Sequence, residues 1–65
     1  MPKGKVKWFN STKGYGFIAP DEGGDDVFVH ISAVRNAGMQ DLEEDQVVEY
    51  ELVENNGKTS AENLK

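Results

Sequence analysis

Sixty-five residues without cysteine allow one small domain, over residues 1–65, and exclude both a disulfide framework and a thiolate metal site. The formal net charge of −5, taken as a whole, argues against a polyanionic partner. No apolar run approaches a membrane span and Met1-Pro2-Lys3-Gly4 opens no hydrophobic signal segment, so the expectation is a cytoplasmic protein without membrane association.

Residues 3–10 alternate polar and apolar through Lys5, Val6, Lys7 and Trp8, the period of a strand with one buried face. Phe9 breaks the alternation, so either one ring faces outward or a bulge intervenes. Ser11-Thr12-Lys13-Gly14 reads as a turn. Tyr15-Gly16-Phe17-Ile18 resumes a strand, with Tyr15 and Phe17 on one face and Gly16 and Ile18 on the other. Pro20 ends it, and Asp21-Glu22-Gly23-Gly24-Asp25 forms a flexible acidic loop. Val27-Phe28-Val29-His30-Ile31 is the clearest strand, its valines turned to the core and Phe28 and His30 turned away. Ser32-Ala33-Val34 suits a single helical turn capped by Ser32. From Arg35 to Gln46 no helical stripe is sustained, which predicts a long loop with Met39 and Leu42 tucked beneath it. Val47 to Glu54 forms a fourth strand with Val48, Tyr50 and Leu52 on one face and Glu49 and Glu51 on the other. Asn56-Gly57 is a hairpin turn, because both positions tolerate positive φ. It leads into a fifth strand, Lys58 to Leu64, held by Ala61 and Leu64. Five short strands with turn-rich connections predict a small all-β barrel.

Five of the six aromatic residues lie between Trp8 and Phe28. Such rings are ordinarily core in a small β protein. Here Val6, Ile18, Val27, Val29, Val34, Leu42, Val48, Tyr50 and Leu52 already satisfy the inward positions. Adding Trp8, Phe17 and Phe28 would overfill the interior, at a cost of about 1–3 kcal/mol. The rings are therefore expected on one exterior face, and an exposed apolar patch marks a binding site. Charge is partitioned to match. Residues 1–20 carry +4 from Lys3, Lys5, Lys7 and Lys13, while residues 21–65 carry −9 from three bases against twelve acids. Distant charges are screened over about 8–10 Å, so the local lysines dominate their own face. Lysines decorating an edge strand would look the same. Beside flat rings, however, they suit a single-stranded nucleic acid, whose phosphates need cations and whose bases need stacking partners. Gly14 and Gly16 would let such a strand approach the sheet, although a tight hairpin also accounts for Gly14.

Lys13-Gly14-Tyr15-Gly16-Phe17-Ile18, followed by Val27-Phe28-Val29-His30, closely resembles the two ribonucleoprotein motifs of the cold-shock domain. Gly4-Lys5-Val6-Lys7-Trp8-Phe9-Asn10 is similar to that family's first strand, and Leu42-Glu43-Glu44 to the end of its long loop. The resemblance covers essentially the whole chain. It implies a five-stranded antiparallel Greek-key barrel, the OB-fold, that binds single-stranded RNA and DNA with little sequence demand. It also implies an RNA chaperone with a regulatory role in transcription or translation, monomeric, with no cofactor and no obligate protein partner. Carried over by position, the nucleic-acid-binding residues are Lys7, Trp8, Lys13, Tyr15, Phe17, Phe28 and His30, with Phe9 beside them and Lys5 as a weaker candidate. Ile31 stands where the family commonly has a phenylalanine, Met39 near a common aromatic, and Lys58 where some members place an arginine nearby; these three complete the candidate set. A stacked base is worth about 1–3 kcal/mol, so the missing rings imply binding weaker by tenfold or more than in members that keep them.

Other chemistries find little in the sequence. His30-x-Ser32 with Asp25 or Asp26 resembles a triad without a nucleophile elbow or oxyanion hole, so no enzyme is expected. Gly14-x-Gly16-x-x-Ala19 imitates a dinucleotide fingerprint, but Pro20 follows and no helix opens. Residues 21–26 lack the alternating ligands of a calcium loop. The competing possibility is a barrel that docks proline-rich peptides on its aromatic groove.

Overall fold

The computed structural model describes residues 2–65. Met1, the first residue of the expected 1–65 domain and of the Met1–Gly4 segment, lies outside the described residues. Six strands and one short helix follow in the order β1 (Lys3–Asn10), β2 (Tyr15–Pro20), β3 (Val27–His30), α1 (Ile31–Asn36), β4 (Val47–Glu49), β5 (Glu51–Asn55) and β6 (Lys58–Glu62). They form one strongly curled, open sheet in the spatial order β4-β1-β2-β3-β6-β5. β1, β2 and β3 make an antiparallel meander, β4 pairs antiparallel with β1, and β5 with β6 is an antiparallel hairpin. One pairing departs from the antiparallel expectation: β6 lies parallel to β3, with Phe28 opposite Ser60 and Val29 opposite Ala61.

The all-β expectation holds, but the fourth strand is two strands. It breaks at Tyr50, whose N–H donates to the Pro2 carbonyl at 3.0 Å. Before the break Glu49 exchanges hydrogen bonds with Lys65, and after it Glu51 to Asn55 pair with β6. One stretch of chain thus serves both ends of the sheet and curls it. The break also ends the alternation: Val48 and Tyr50 are buried, whereas Leu52, expected in the core, is 51% exposed.

The core is otherwise as the periodicity requires. Val6, Ile18, Val27, Val29, Val34, Leu42, Val48 and Tyr50 are buried together with Ala33, Ala61 and Leu64. Ala33 and Val34 come from α1, which is longer than a single turn because Arg35 and Asn36 continue it. Its cap is His30, not Ser32: the His30 Nδ1 accepts from the Ser32 N–H at 3.1 Å. Accordingly β3 stops at His30 and Ile31 opens the helix. In the loop that follows, Leu42 is buried and Met39 packs half-buried against the core, as expected. Asn56 and Gly57 take φ of 53° and 76°, the paired positive values that the hairpin turn needs.

Candidate nucleic-acid interface

The outer face of the β1–β2–β3 meander is built by register. Val6 faces Ile18 across the β1–β2 ladder, but the next pair is Trp8 with Phe17, so Lys7 is the extra residue of a bulge. That bulge resolves the Trp8-Phe9 doublet: Trp8 swings outward, 38% exposed, and Phe9 packs half-buried against the core. Trp8 is brought beside Phe17, Phe17 stands opposite Phe28, and Tyr15 stands opposite His30.

Five rings consequently form one connected surface. Trp8 lies 5.6 Å from Tyr15 and 5.4 Å from Phe17, centroid to centroid. Phe28 lies 5.9 Å from both Tyr15 and Phe17, and 6.5 Å from His30. Tyr15, Phe17 and Phe28 are half-buried, so each keeps part of its ring face available while its edges are held by neighbours. Such contacts fix ring orientation and are worth about 0.5–1.5 kcal/mol beyond area burial.

The turn that carries Lys13 is fixed by local hydrogen bonds. The Asn10 carboxamide oxygen accepts from the Lys13 N–H at 2.9 Å, and the Gly14 N–H donates to the Asn10 carbonyl at 2.8 Å. Gly14, at φ 84°, then accepts from the Ile31 N–H, tying this turn to the start of α1. Lys5, Lys7 and Lys13 are all exposed. Lys7 is not free, however: its Nζ donates to the Asp26 Oδ2 at 2.9 Å. The separation of a basic face from an acidic body is therefore bridged at this point by the acidic loop. An exposed pair of this kind is worth only about 0.2–1 kcal/mol, little enough for a phosphate to displace.

Lys58 is brought to the margin of the rings, where it lines an open cavity of about 540 Å³ with Phe17, Phe28, Asp26 and Ser60. Ile31 sits half-buried against the Gly14 turn. Met39 belongs with the core contacts, and so does Phe9; neither joins the connected rings. His30 bonds to Ser32 while Asp26 pairs with Lys7, so the triad-like residues are engaged separately. Asn55, Thr59 and Ser60 line the cavity although no local pattern marks them, because their contacts come from parts of the chain remote in sequence, and Asp26, named above only in the triad-like set and the acidic loop, lines it with them. Only the position of Asp26, directly before the Val27 strand, offered a signal.

The sequence pattern of the 'Cold-shock' DNA-binding domain matches residues 2–65. The chain belongs to the cold-shock domain family. It is 60% identical to the cold shock protein CspA of Rhizobium meliloti, in an alignment that spans all of this chain and 97% of that protein. To the cold shock protein CspD of Bacillus subtilis it is 55% identical, across 98% of this chain and 96% of the relative. A Sinorhizobium fredii protein named "Probable cold shock protein y4cH" is 58% identical over the same full span. The cold-shock domain is an OB-fold, and the curled sheet is this chain's version of it. The family is a nucleic-acid-binding, non-enzymatic one. Membership thereby supports nucleic-acid binding by this chain and leaves the peptide-docking alternative unfavoured.

Proposed function

We propose that this protein binds single-stranded RNA and DNA with little sequence demand, stacking bases on Trp8, Tyr15, Phe17, Phe28 and His30 while Lys7, Lys13 and Lys58 meet the phosphates. The observation that carries this is the unbroken chain of five rings on the outside of a sheet whose inside is already filled by aliphatic residues. Stacking tolerates any base, because every base has a π-face. A protein that holds unpaired strands and not duplex shifts RNA toward open forms by mass action, with no energy source. That is the physical content of chaperone activity, and it suits a monomer acting in the cytoplasm.

Trp8, the chain's one tryptophan, is the natural reporter. Titration with oligo-dT is expected to quench its fluorescence; no change at micromolar protein would overturn the proposal. Raising salt should weaken the binding with a log–log slope near −0.7 per phosphate neutralised. A proline-rich peptide on the same rings would show little such slope, and its basic residues would meet Lys7 and Lys13 instead of acids.

The far margin of the platform lacks rings. Replacing Ile31 and Met39 together with phenylalanine is expected to tighten oligo-dT binding by about tenfold or more, since one stacked base is worth about 1–3 kcal/mol. Ile31 should carry the larger share, because it follows His30 directly whereas Met39 is held against the core. Unchanged affinity in the double variant would remove the idea that the missing rings weaken this site.

A further inference from the structure

We propose that the groove between the acidic loop and β5 is a docking slot for a basic protein segment, receiving one arginine or lysine side chain along an apolar floor. The groove encloses about 330 Å³, and none of the five platform rings lines it. Its floor is made by Pro20, Val27 and Leu52, and Leu52 is 51% exposed. An apolar side chain left open to that degree is covered most readily by another apolar group. The rim carries Glu22, Asp25 and Asp26 against Lys3 alone.

Tyr50 supplies an independent pointer to a ligand. The residue is 1% exposed and lines the groove, and among the described residues its hydroxyl has no protein hydrogen-bond partner. No buried polar side-chain atom among the described residues is left unsatisfied, so this hydroxyl, without a protein partner there, keeps some accessible surface, and Tyr50 lines the groove. Burial, with Asp21 and Glu22 nearby, pushes the phenol above its usual range. The group therefore stays protonated, able to donate to a rim carboxylate while its oxygen accepts from a guanidinium.

Charge and shape narrow the occupant. Nucleic acid and anionic lipid are repelled by the rim. No three acidic or histidine side chains among the described residues converge closely enough to hold a metal ion. The carboxylates are instead spread along a groove with an apolar floor. That arrangement fits a long aliphatic stem ending in a cation, with an apolar neighbour over Leu52.

Asp26 connects this slot to the ring face. It lines both cavities and holds Lys7 at 2.9 Å. A cation in the slot that takes over part of the Asp26 carboxylate releases Lys7 to a phosphate, so the two ligands favour each other reciprocally. This coupling rests on the proposed single-strand site; the docking does not.

The test is an NMR titration of the isotope-labelled protein with acetyl-Leu-Arg-amide, with acetyl-Leu-citrulline-amide as its neutral match, and with spermidine. Saturable shifts are expected at Val27, Tyr50 and Leu52 with the arginine peptide, and binding weaker by about threefold or more with citrulline. Glu22→Gln and Leu52→Ser should each weaken the arginine peptide by about twofold to threefold and leave oligo-dT affinity unchanged. Shifts centred on Trp8, Phe17 and Phe28, equal binding of the citrulline peptide, or spermidine binding as tightly as the arginine peptide would each overturn the slot. A saturating arginine peptide should raise oligo-dT affinity about twofold. Groove shifts without that gain overturn the coupling, and failure of oligo-dT to bind the peptide-free protein, with groove shifts intact, indicts the single-strand site instead.

Discussion

Replacing Phe28 with alanine is expected to weaken oligo-dT binding by about 1–3 kcal/mol, from roughly fivefold to a hundredfold. Phe28 is the middle of the platform. It touches Tyr15, Phe17 and His30, so its loss removes one stacking surface and the support that orients three others. The ring is only half-buried, and its truncation should cost less stability than the about 3–5 kcal/mol typical of a core phenylalanine. The next residue provides the contrast. Val29 is fully buried, and Val29→Ala should lower stability by about 1–3 kcal/mol while the folded variant binds as before. Fluorescence titration and thermal unfolding of the two variants should give opposite profiles. Wild-type affinity in the Phe28→Ala protein would remove the ring face as the binding surface.

Gly16→Ala is expected to have the largest effect on folding. A Cβ there would overlap the Trp8 carbonyl oxygen and come within 2.7 Å of the Phe9 Cα and Cδ1. Two of those contacts are backbone, so no side chain can swing aside to relieve them. The β1–β2 ladder would have to open at the bulge that turns Trp8 outward. A cost of about 3 kcal/mol follows, which in a chain of this size lowers Tm by more than about 10 °C. Gly23 and Gly57 meet nothing within 4 Å, so any cost of alanine there comes from their positive φ alone. Circular dichroism melts would decide: a Gly16→Ala protein unfolding within a few degrees of the parent refutes the close-approach argument.

The parts of this architecture legible in the sequence are those governed by neighbours. Strand parity depends on adjacent residues, so Val27 and Val29 could be assigned inward and Phe28 and His30 outward from the pattern alone, as they are. Asn56-Gly57 announces its turn through the conformations of two residues. What the sequence conceals is set by residues far apart. Nothing in Glu49-Tyr50-Glu51 signals a break; it arises because Pro2 and Lys65, near the two ends of the chain, take the hydrogen bonds of this segment. Leu52 is exposed for that reason, against the parity of its neighbours. Lys7 and Asp26 pair across nineteen positions, beyond any local pattern. At the start of α1, residue preference points to Ser32, but the helix opens at Ile31 and the His30 ring nitrogen accepts from the N–H of Ser32 itself. For the proposed binding face, the family motifs indicate the rings, whereas the bulge that decides between Trp8 and Phe9 becomes visible only in the register.

The parallel pairing of β3 with β6 also sets an order of events during synthesis. β1, β2 and β3 leave the ribosome first and pair through short hairpins, whereas Val29 meets Ala61 only after some thirty further residues have been added. Non-local pairings of this kind are the slow ones. Until β6 arrives, the emerging meander presents rings on one side and bare valines on the other, with an open strand edge between them. That is a state prone to aggregate, and a single strand lying across the rings would shield half of it.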